Sequence, residues 1–279
     1  MSFKVAAKAI VKGGVVAAAS HLPRRTVGMR CLLYHSVVPT PRRDPKQMTV
    51  SVDLLTRQIE YLCAHGYTVA DAPSAVAELR TGAAPAKTVV ITFDDGYGDN
   101  LELALPILER FRCTATIFMS REALAGEERP VYADRFLSVA EARDMISSGL
   151  VTIGCHGDTH RALSDLSDAE VRRETADAKA WMEDALGVAV PLFAYPYGSF
   201  DSFDRRVRDA VQRAGFDAAF TSIVGPNTAR TDPFRLLRSR ISWAEEILSF
   251  GRLLNGGYDW YAGLQWVQSR RPHPRDGHR

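Results

Sequence analysis

Two adjacent carboxylates, Asp94 and Asp95, follow directly on the apolar run "VVITF", and Gly96 ends the run behind them. Neighbouring like charges repel, so either a cation sits there or the pair is turn chemistry, for which Asp-Asp-Gly is well suited. A second pair, His156 and His160, follows the run "LVTIGC" with three residues between the imidazoles. That spacing sets both rings on one helical turn or in a tight loop, and the intervening Gly-Asp-Thr favours a clamped turn. Two imidazoles and one carboxylate bind a transition-metal ion and leave coordination positions open, as a catalytic centre needs. Read alone, each pair is as well explained by polar loop chemistry.

Other strand-like runs also end in groups that could do chemistry. His35 follows "LLY", the turn "YPYG" (195–198) follows "LFA", and Arg240 lies in "RSRIS". Each has an ordinary reading: a structural histidine, a turn, a surface arginine. Cys155 reads as a packed thiol despite its neighbour. The functional reading rests on their conjunction at the ends of successive strands.

The elements that must position these groups alternate. Strands are expected at 29–38, 87–93, 114–119, 150–155, 190–196, 217–223 and 238–243. The run 87–93 shows no polar alternation, as in a parallel strand buried on both faces. A helix follows Ser51, with Leu54, Leu55, Ile59, Leu62 and Cys63 on one face and Gly66 as its stop. Residues 101–111 are helical, and Pro106 either kinks that helix or lies in its first turn. Ser138 with Glu141, and Ser167 with Glu170, form capping boxes for two further helices. Strand–helix alternation implies a parallel sheet, open or closed into a barrel, with functional groups at the strands' carboxyl ends.

The chain has 279 residues and a formal net charge of +2. That suits one large α/β domain and gives no electrostatic case for nucleic acid. The four cysteines match no metal or disulfide framework and point weakly to a reducing compartment. Residues 1–27 form an N-terminal extension rich in Ala and Val. Lys8 and Lys12 interrupt it, so no window reaches the roughly 18–20 apolar residues of a membrane span. An amphipathic surface helix is the alternative to a cleaved signal, and through it membrane association. A cytoplasmic or membrane-associated location is favoured over secretion. The expected domain spans 28–255, followed by a tail, 256–279, with a basic, disordered end. The aromatic-rich stretch "YDWYAGLQW" in that tail has no functional account.

"TFDDGY" (92–97), "GCHGDTHRALSDLS" (154–167) and "FAYPYGSFD" (193–201), in that order, resemble the motifs of the polysaccharide deacetylases of carbohydrate esterase family 4. The resemblance runs from about residue 29 to 243 and implies a single-domain α/β fold, a distorted (β/α)7-type barrel. It implies a metal-dependent hydrolase that removes N-acetyl groups from an amino-sugar glycan or a lipid-linked sugar. By position Asp94 resembles the general base, and Asp95, His156 and His160 the ligands of one divalent ion. Zinc is the first choice, with iron, cobalt, nickel and manganese as alternatives. The backbone N–H of Tyr197 would face the oxyanion, and Gly198 allows close approach.

Two features depart from the usual pattern. Ala194 stands where an arginine is expected, and no histidine occurs between His160 and His273 to serve as the late general acid. A branch acting on exopolysaccharides carries a "YH" strand end instead. "LLYHSVVP" (32–39) is similar to it, which makes His35 the candidate acid. "DPFRLLRSRIS" (232–242) resembles the late arginine segment of that branch, which makes Arg240 a candidate for steadying Asp94 or binding substrate. The alternatives are a catalytically silent carbohydrate-binding relative, or a deacylase for an O-acetyl or formyl group. Tyr97, Tyr132, Phe200 and Trp243 could stack on sugar rings or simply pack in the core.

Overall fold

Alternate residues of the apolar runs face opposite sides of one sheet, and both sides are buried. Cys31, Val90, Phe118, Leu192 and Phe220 form an inner cluster, while Leu32, Ile91, Ile117, Ile153 and Phe193 join a larger outer one. A sheet apolar on both faces must be covered by helices on one side and closed upon itself on the other. The computed structural model describes residues 28–270 except 42, 84–86, 129 and 131–132. The expectations for residues 1–27, for the basic end 271–279 and for Tyr132 lie outside the described residues.

The strands are β1 (Arg30–Tyr34), β2 (Ser36–Val38), β3 (Thr49–Ser51), β4 (Thr68–Val69), β5 (Thr88–Asp94), β6 (Ala115–Met119), β7 (Val151–Cys155), β8 (Leu192–Ala194), β9 (Ala218–Phe220) and β10 (Arg238–Arg240). Parallel pairing runs β10-β1-β5-β6-β7-β8-β9, with β4 beside the start of β5. A Phe220–Leu236 bridge and a bond from Arg238 N–H to Ile223 O at 2.9 Å bring the two ends of this path together. The sheet is a nearly closed, barrel-shaped one in a single α/β domain, in keeping with the distorted barrel expected from sequence.

The expected strand 29–38 is two. The chain leaves the barrel at His35, and β2 pairs with β3 in a separate two-stranded sheet. Among the helices, α1 (Val52–Ala64) is capped by Ser51, whose side chain accepts from Leu54 N–H, and it buries Leu54, Leu55, Ile59 and Leu62 but leaves Cys63, expected on the same face, exposed. The helix α2 (Ala72–Thr81) adds Ala75, Val76 and Leu79 to the inner cluster, at the end where the strands begin. Pro106 lies in the first turn of α3 (Leu105–Phe111), directly after a π-helical turn at Asn100–Ala104. Both capping boxes form, Ser138 with Glu141 on α4 (Val139–Ser147) and Ser167 with Glu170 on α5 (Asp168–Arg172). The helix expected beyond Ser167 is interrupted by a second π-helical turn, Arg173–Asp177, before α6 (Ala178–Leu186).

Residues 256–270 do not hang free of the fold. After α7 (Ile247–Leu254), Asp259 takes both Nη groups of buried Arg30 at 2.6 and 2.9 Å. On α8 (Tyr261–Ser269), Gln265 accepts from Val224 N–H and donates to Ser222 O, each at 3.0 Å. Among the described residues, no helix is long and apolar enough to cross a membrane.

Candidate active site

Asp94 is the last residue of β5, and its side chain points into the barrel mouth. Arg238, on β10, donates from Nη1 to Oδ1 at 2.6 Å and from Nη2 to Oδ2 at 2.8 Å. The guanidinium also donates to Thr221 O at 2.9 Å and Thr92 Oγ1 at 3.1 Å, and lies against the Phe118 ring. Asp94 and Arg238 are 4% and 1% exposed, so neither charge could persist here without the other. Burial alone would raise the Asp94 carboxyl. The Arg238 guanidinium, with His156 next, overrides that and holds it down to about 2. Asp94 is therefore ionised at neutral pH. The sequence reading offered Arg240 for this task; the structure gives it to Arg238, two residues earlier on the same strand.

Asp95 follows with a positive φ of 73°, a left-handed turn that an aspartate tolerates better than most residues. The turn carries its carboxylate to the histidines. Asp95 Oδ1 lies 3.4 Å from His160 Nε2 and 3.8 Å from His156 Nε2, and one donor atom from each of the three lies within 4.8 Å of the others. His156 Nδ1 is 2.7 Å from Ala194 O. That carbonyl can only accept, so the proton is on Nδ1 and the Nε2 lone pair faces Asp95, as a metal ligand requires. Burial also pushes His156 below the usual imidazole range, toward the neutral form a ligand needs. Two nitrogens and one oxygen, preset in this way, fit a divalent transition-metal ion.

The H-x3-H segment is a loop rather than a helix, and one buried carboxylate clamps it. Glu174 accepts from Asp158 N–H at 2.7 Å, Thr159 N–H at 3.0 Å and Thr159 Oγ1 at 2.5 Å. It comes from the π-helical turn 173–177 and is 2% exposed. A Cβ on Gly157 would stand 2.7 Å from Glu174 Oε2, so only glycine admits the clamp.

His35 is held in a parallel way by the other π-helical turn. Buried Asn100 donates from Nδ2 to His35 O at 2.9 Å. Asp99 accepts from Ser36 Oγ at 2.6 Å and Val37 N–H at 3.0 Å. Burial pushes the His35 imidazole down to about 4 against the pull of Asp95 and Asp94, so it rests neutral at pH 7. Its Nδ1 is buried without a partner among the described residues.

Tyr197 also has a left-handed backbone, with φ 62°. Ser222 Oγ donates to its carbonyl at 2.5 Å, and its amide donates to no acceptor among the described residues. Gly198 is required beside it, because a Cβ there would stand 2.5 Å from Ser222 N. Asp95, His160 and Tyr197 are three of the six non-glycine residues with positive φ among those described. Such conformations cost on the order of 1–3 kcal/mol each and concentrate where function demands them.

The structure brings all seven candidates together. His35, Asp94, Asp95, His156, His160, Tyr197 and Arg240 line one cavity of about 450 Å³. Tyr97 lines it too, stacked on Phe136. Trp243 is turned away to donate from Nε1 to Asp44 O. Cys155 is a packed thiol, pushed up to about 12 by burial. Arg238, Glu174, Asp99 and Asn100 were missed in the sequence. The period-two pattern of "RSR" puts Arg238 and Arg240 on one face, which made Arg238 an equal candidate.

Residues 81–219 match the family profile described as polysaccharide deacetylase. The Bacillus subtilis (strain 168) protein YxkH, which carries a polysaccharide deacetylase name, is 25% identical over 221 residues, 79% of this chain and 74% of that one. Among solved structures, the Streptococcus pyogenes deacetylase PplD in complex with acetate superposes with a TM-score of 0.71 at 21% identity, over 82% of this chain and 98% of that chain. IcaB from Ammonifex degensii gives a TM-score of 0.69 at 24% identity, over 84% and 98%. At these identities the structural likenesses speak for the shared fold.

Proposed function

The chain belongs to the polysaccharide deacetylase family, and from that membership we propose that it hydrolyses N-acetyl groups on an amino-sugar glycan, releasing acetate. The observation that carries this reading is an ionised Asp94 beside three converging ligand groups in one cavity. Asp95, His156 and His160 would hold one divalent ion, with zinc the first choice for this donor set. When bound, such an ion activates water and polarises an acyl carbonyl.

The protein's own groups supply the rest. Asp94, kept charged by Arg238, accepts the proton of the attacking water. The free amide of Tyr197 donates to the oxyanion that develops on the former carbonyl. His35 delivers a proton to the departing amine nitrogen. Since burial keeps His35 neutral at rest, it first takes that proton from solvent, which the nearby Asp95 and Asp94 charges favour, and Asp94 afterwards returns the water's proton to solvent.

The same observation favours a second reading, hydrolysis of an O-acetyl ester. An alkoxide leaves more readily than an amide nitrogen, so a histidine resting neutral limits ester cleavage less. Acetate release from N-acetylglucosamine oligomers and from O-acetylated sugars, before and after chelation, separates the two. Chelator-sensitive release from the amide supports deacetylation of the amino sugar. Release from esters alone moves the assignment to the second reading, and no release from either overturns both.

A further inference from the structure

The spacing of the cysteines shows no framework, yet the fold brings two of them together. Cys63 lies in the last turn of α1, shortly before β4, and Cys113 lies between α3 and β6. Both therefore stand at the end of the barrel where strands begin, opposite the candidate active site. Two contacts between these segments repeat at one spacing. Glu60 Oε1 on α1 is 3.5 Å from Arg110 Nη2 on α3, and three residues further along both segments the Cys113 thiol has the Cys63 thiol as a hydrogen-bond partner. Residues three apart share a helix face, so α1 and α3 run side by side in the same direction and bring their ends together. Ile59, Leu62 and Leu108 join one core cluster beneath them.

The two thiols differ in access. Cys113 is 4% exposed. It follows left-handed Arg112, its N–H donates to Leu108 O at 2.9 Å, and its Sγ donates to Phe111 O at 3.7 Å. Burial, with Cys63 next, pushes this thiol up to about 11, which makes it inert toward oxidants on its own. Cys63 is exposed. An oxidant in solvent thus meets Cys63 first, with a second thiol already behind it, as in a reacting and a resolving cysteine. Proximity offsets the small thiolate fraction of Cys113. Cys31 and Cys155 lack such an arrangement: both are buried, Cys31 against Asn227 Nδ2 and Cys155 against Gly157 O.

We propose that Cys63 and Cys113 form a thiol pair that a hydroperoxide closes into a disulfide, joining the end of α1 to the start of β6. The Cys63 thiolate attacks the peroxide, the O–O bond breaks, and a sulfenic acid and hydroxide form. Cys113 then gives up its proton, its sulfur attacks the Cys63 sulfur, and the S–O bond breaks with loss of water. Each sulfur loses one electron and the peroxide gains two, so with hydrogen peroxide water is the by-product. No group of the candidate active site takes part, and the proposal stands apart from the deacetylase reading.

The experiment treats the full protein with hydrogen peroxide, alkylates the remaining thiols and maps the peptides by mass spectrometry. The expected product is one Cys63–Cys113 linked pair, with Cys31 and Cys155 still reduced and the link reversed by dithiothreitol. Because the link closes a loop of about 50 residues, Tm should rise by about 5–15 °C on oxidation and fall back on reduction. Cys63→Ser, a change at an exposed position, should abolish both effects. Cys113→Ala should leave Cys63 to oxidise further, to the sulfinic acid, without a link. In the wild type, a Cys63 sulfinic acid beside a free Cys113 thiol overturns the inference. So does a Cys63 link between two molecules, or a Tm that peroxide shifts no further than in Cys63→Ser.

Discussion

Arg238 grips both carboxylate oxygens of Asp94, at 2.6 and 2.8 Å, from a strand that lies 144 residues away in sequence. Removing one member of a buried pair leaves the other as an uncompensated charge, at a cost of about 3–5 kcal/mol. Arg238→Met should therefore destabilise the protein by that order in chemical denaturation. Adding Asp94→Asn should recover much of the loss, since an amide needs no counter-charge. The double variant should still release no acetate, which separates the folding role of the pair from its chemistry.

Asp94→Asn alone removes the proposed proton acceptor and keeps Asp95, His156 and His160. Turnover should fall by about 10²–10⁴-fold while metal content stays at the wild-type level. Asp95→Asn should do the reverse in order of cause, losing the ion first and activity with it. Elemental analysis of the two purified variants checks the assignment. Full metal occupancy in Asp95→Asn would remove it from the ligand set.

His35→Ala should lower amide turnover by about 10²–10⁴-fold with the metal retained. Asn100→Ala frees the His35 carbonyl and should lower turnover in the same direction by a smaller factor. If both variants match the wild type, the acid lies elsewhere.

Glu174 touches no ligand atom among the contacts described, yet it fixes the loop between the two histidines. Glu174→Ala should weaken metal affinity by about 10–100-fold, as loss of an outer support does. Competition with a chelator of known affinity measures this. Unchanged affinity would mean that the loop holds its shape without the clamp.

The metal-free protein should lose stability in acid for an identifiable reason. The Asp94 carboxyl sits at about 2 in the fold, against 3.8 for an ordinary aspartate. The folded state thus binds fewer protons than the unfolded chain between those values. Its contribution is complete above pH 4 and is lost as pH falls through about 2. It amounts to on the order of 2 kcal/mol. Thermal melts of wild type and Asp94→Asn should converge as pH approaches 2, and parallel curves would contradict this account.

The convergence of the proposed ligand set was legible in the sequence because a buried parallel strand shows itself as an unbroken apolar run. Whatever stands just past such a run stands at the barrel mouth. Asp94, Asp95 and His156 are immediate neighbours of such ends, and His160 follows in a short loop. The choice between Arg238 and Arg240 was not legible, because it depends on how far β10 is shifted against β1 when the barrel closes. Glu174 and Asn100 were hidden for another reason. Each lies in a helical stretch and is turned beneath the site by a π-helical turn, which no residue pattern announced. The docking of α8 was equally silent. None of its residues is buried, and its firm contacts include the polar ones of Gln265.

The family match ends at residue 219, and Arg238 comes after it. A chain emerging from the ribosome therefore holds the proposed base and all three proposed ligands before it holds the guanidinium that pairs with Asp94. Until β10 closes the barrel, Asp94 has no guanidinium beside it. A fragment cut to the boundaries of the family match would carry the proposed base and ligands without the guanidinium that pairs with Asp94.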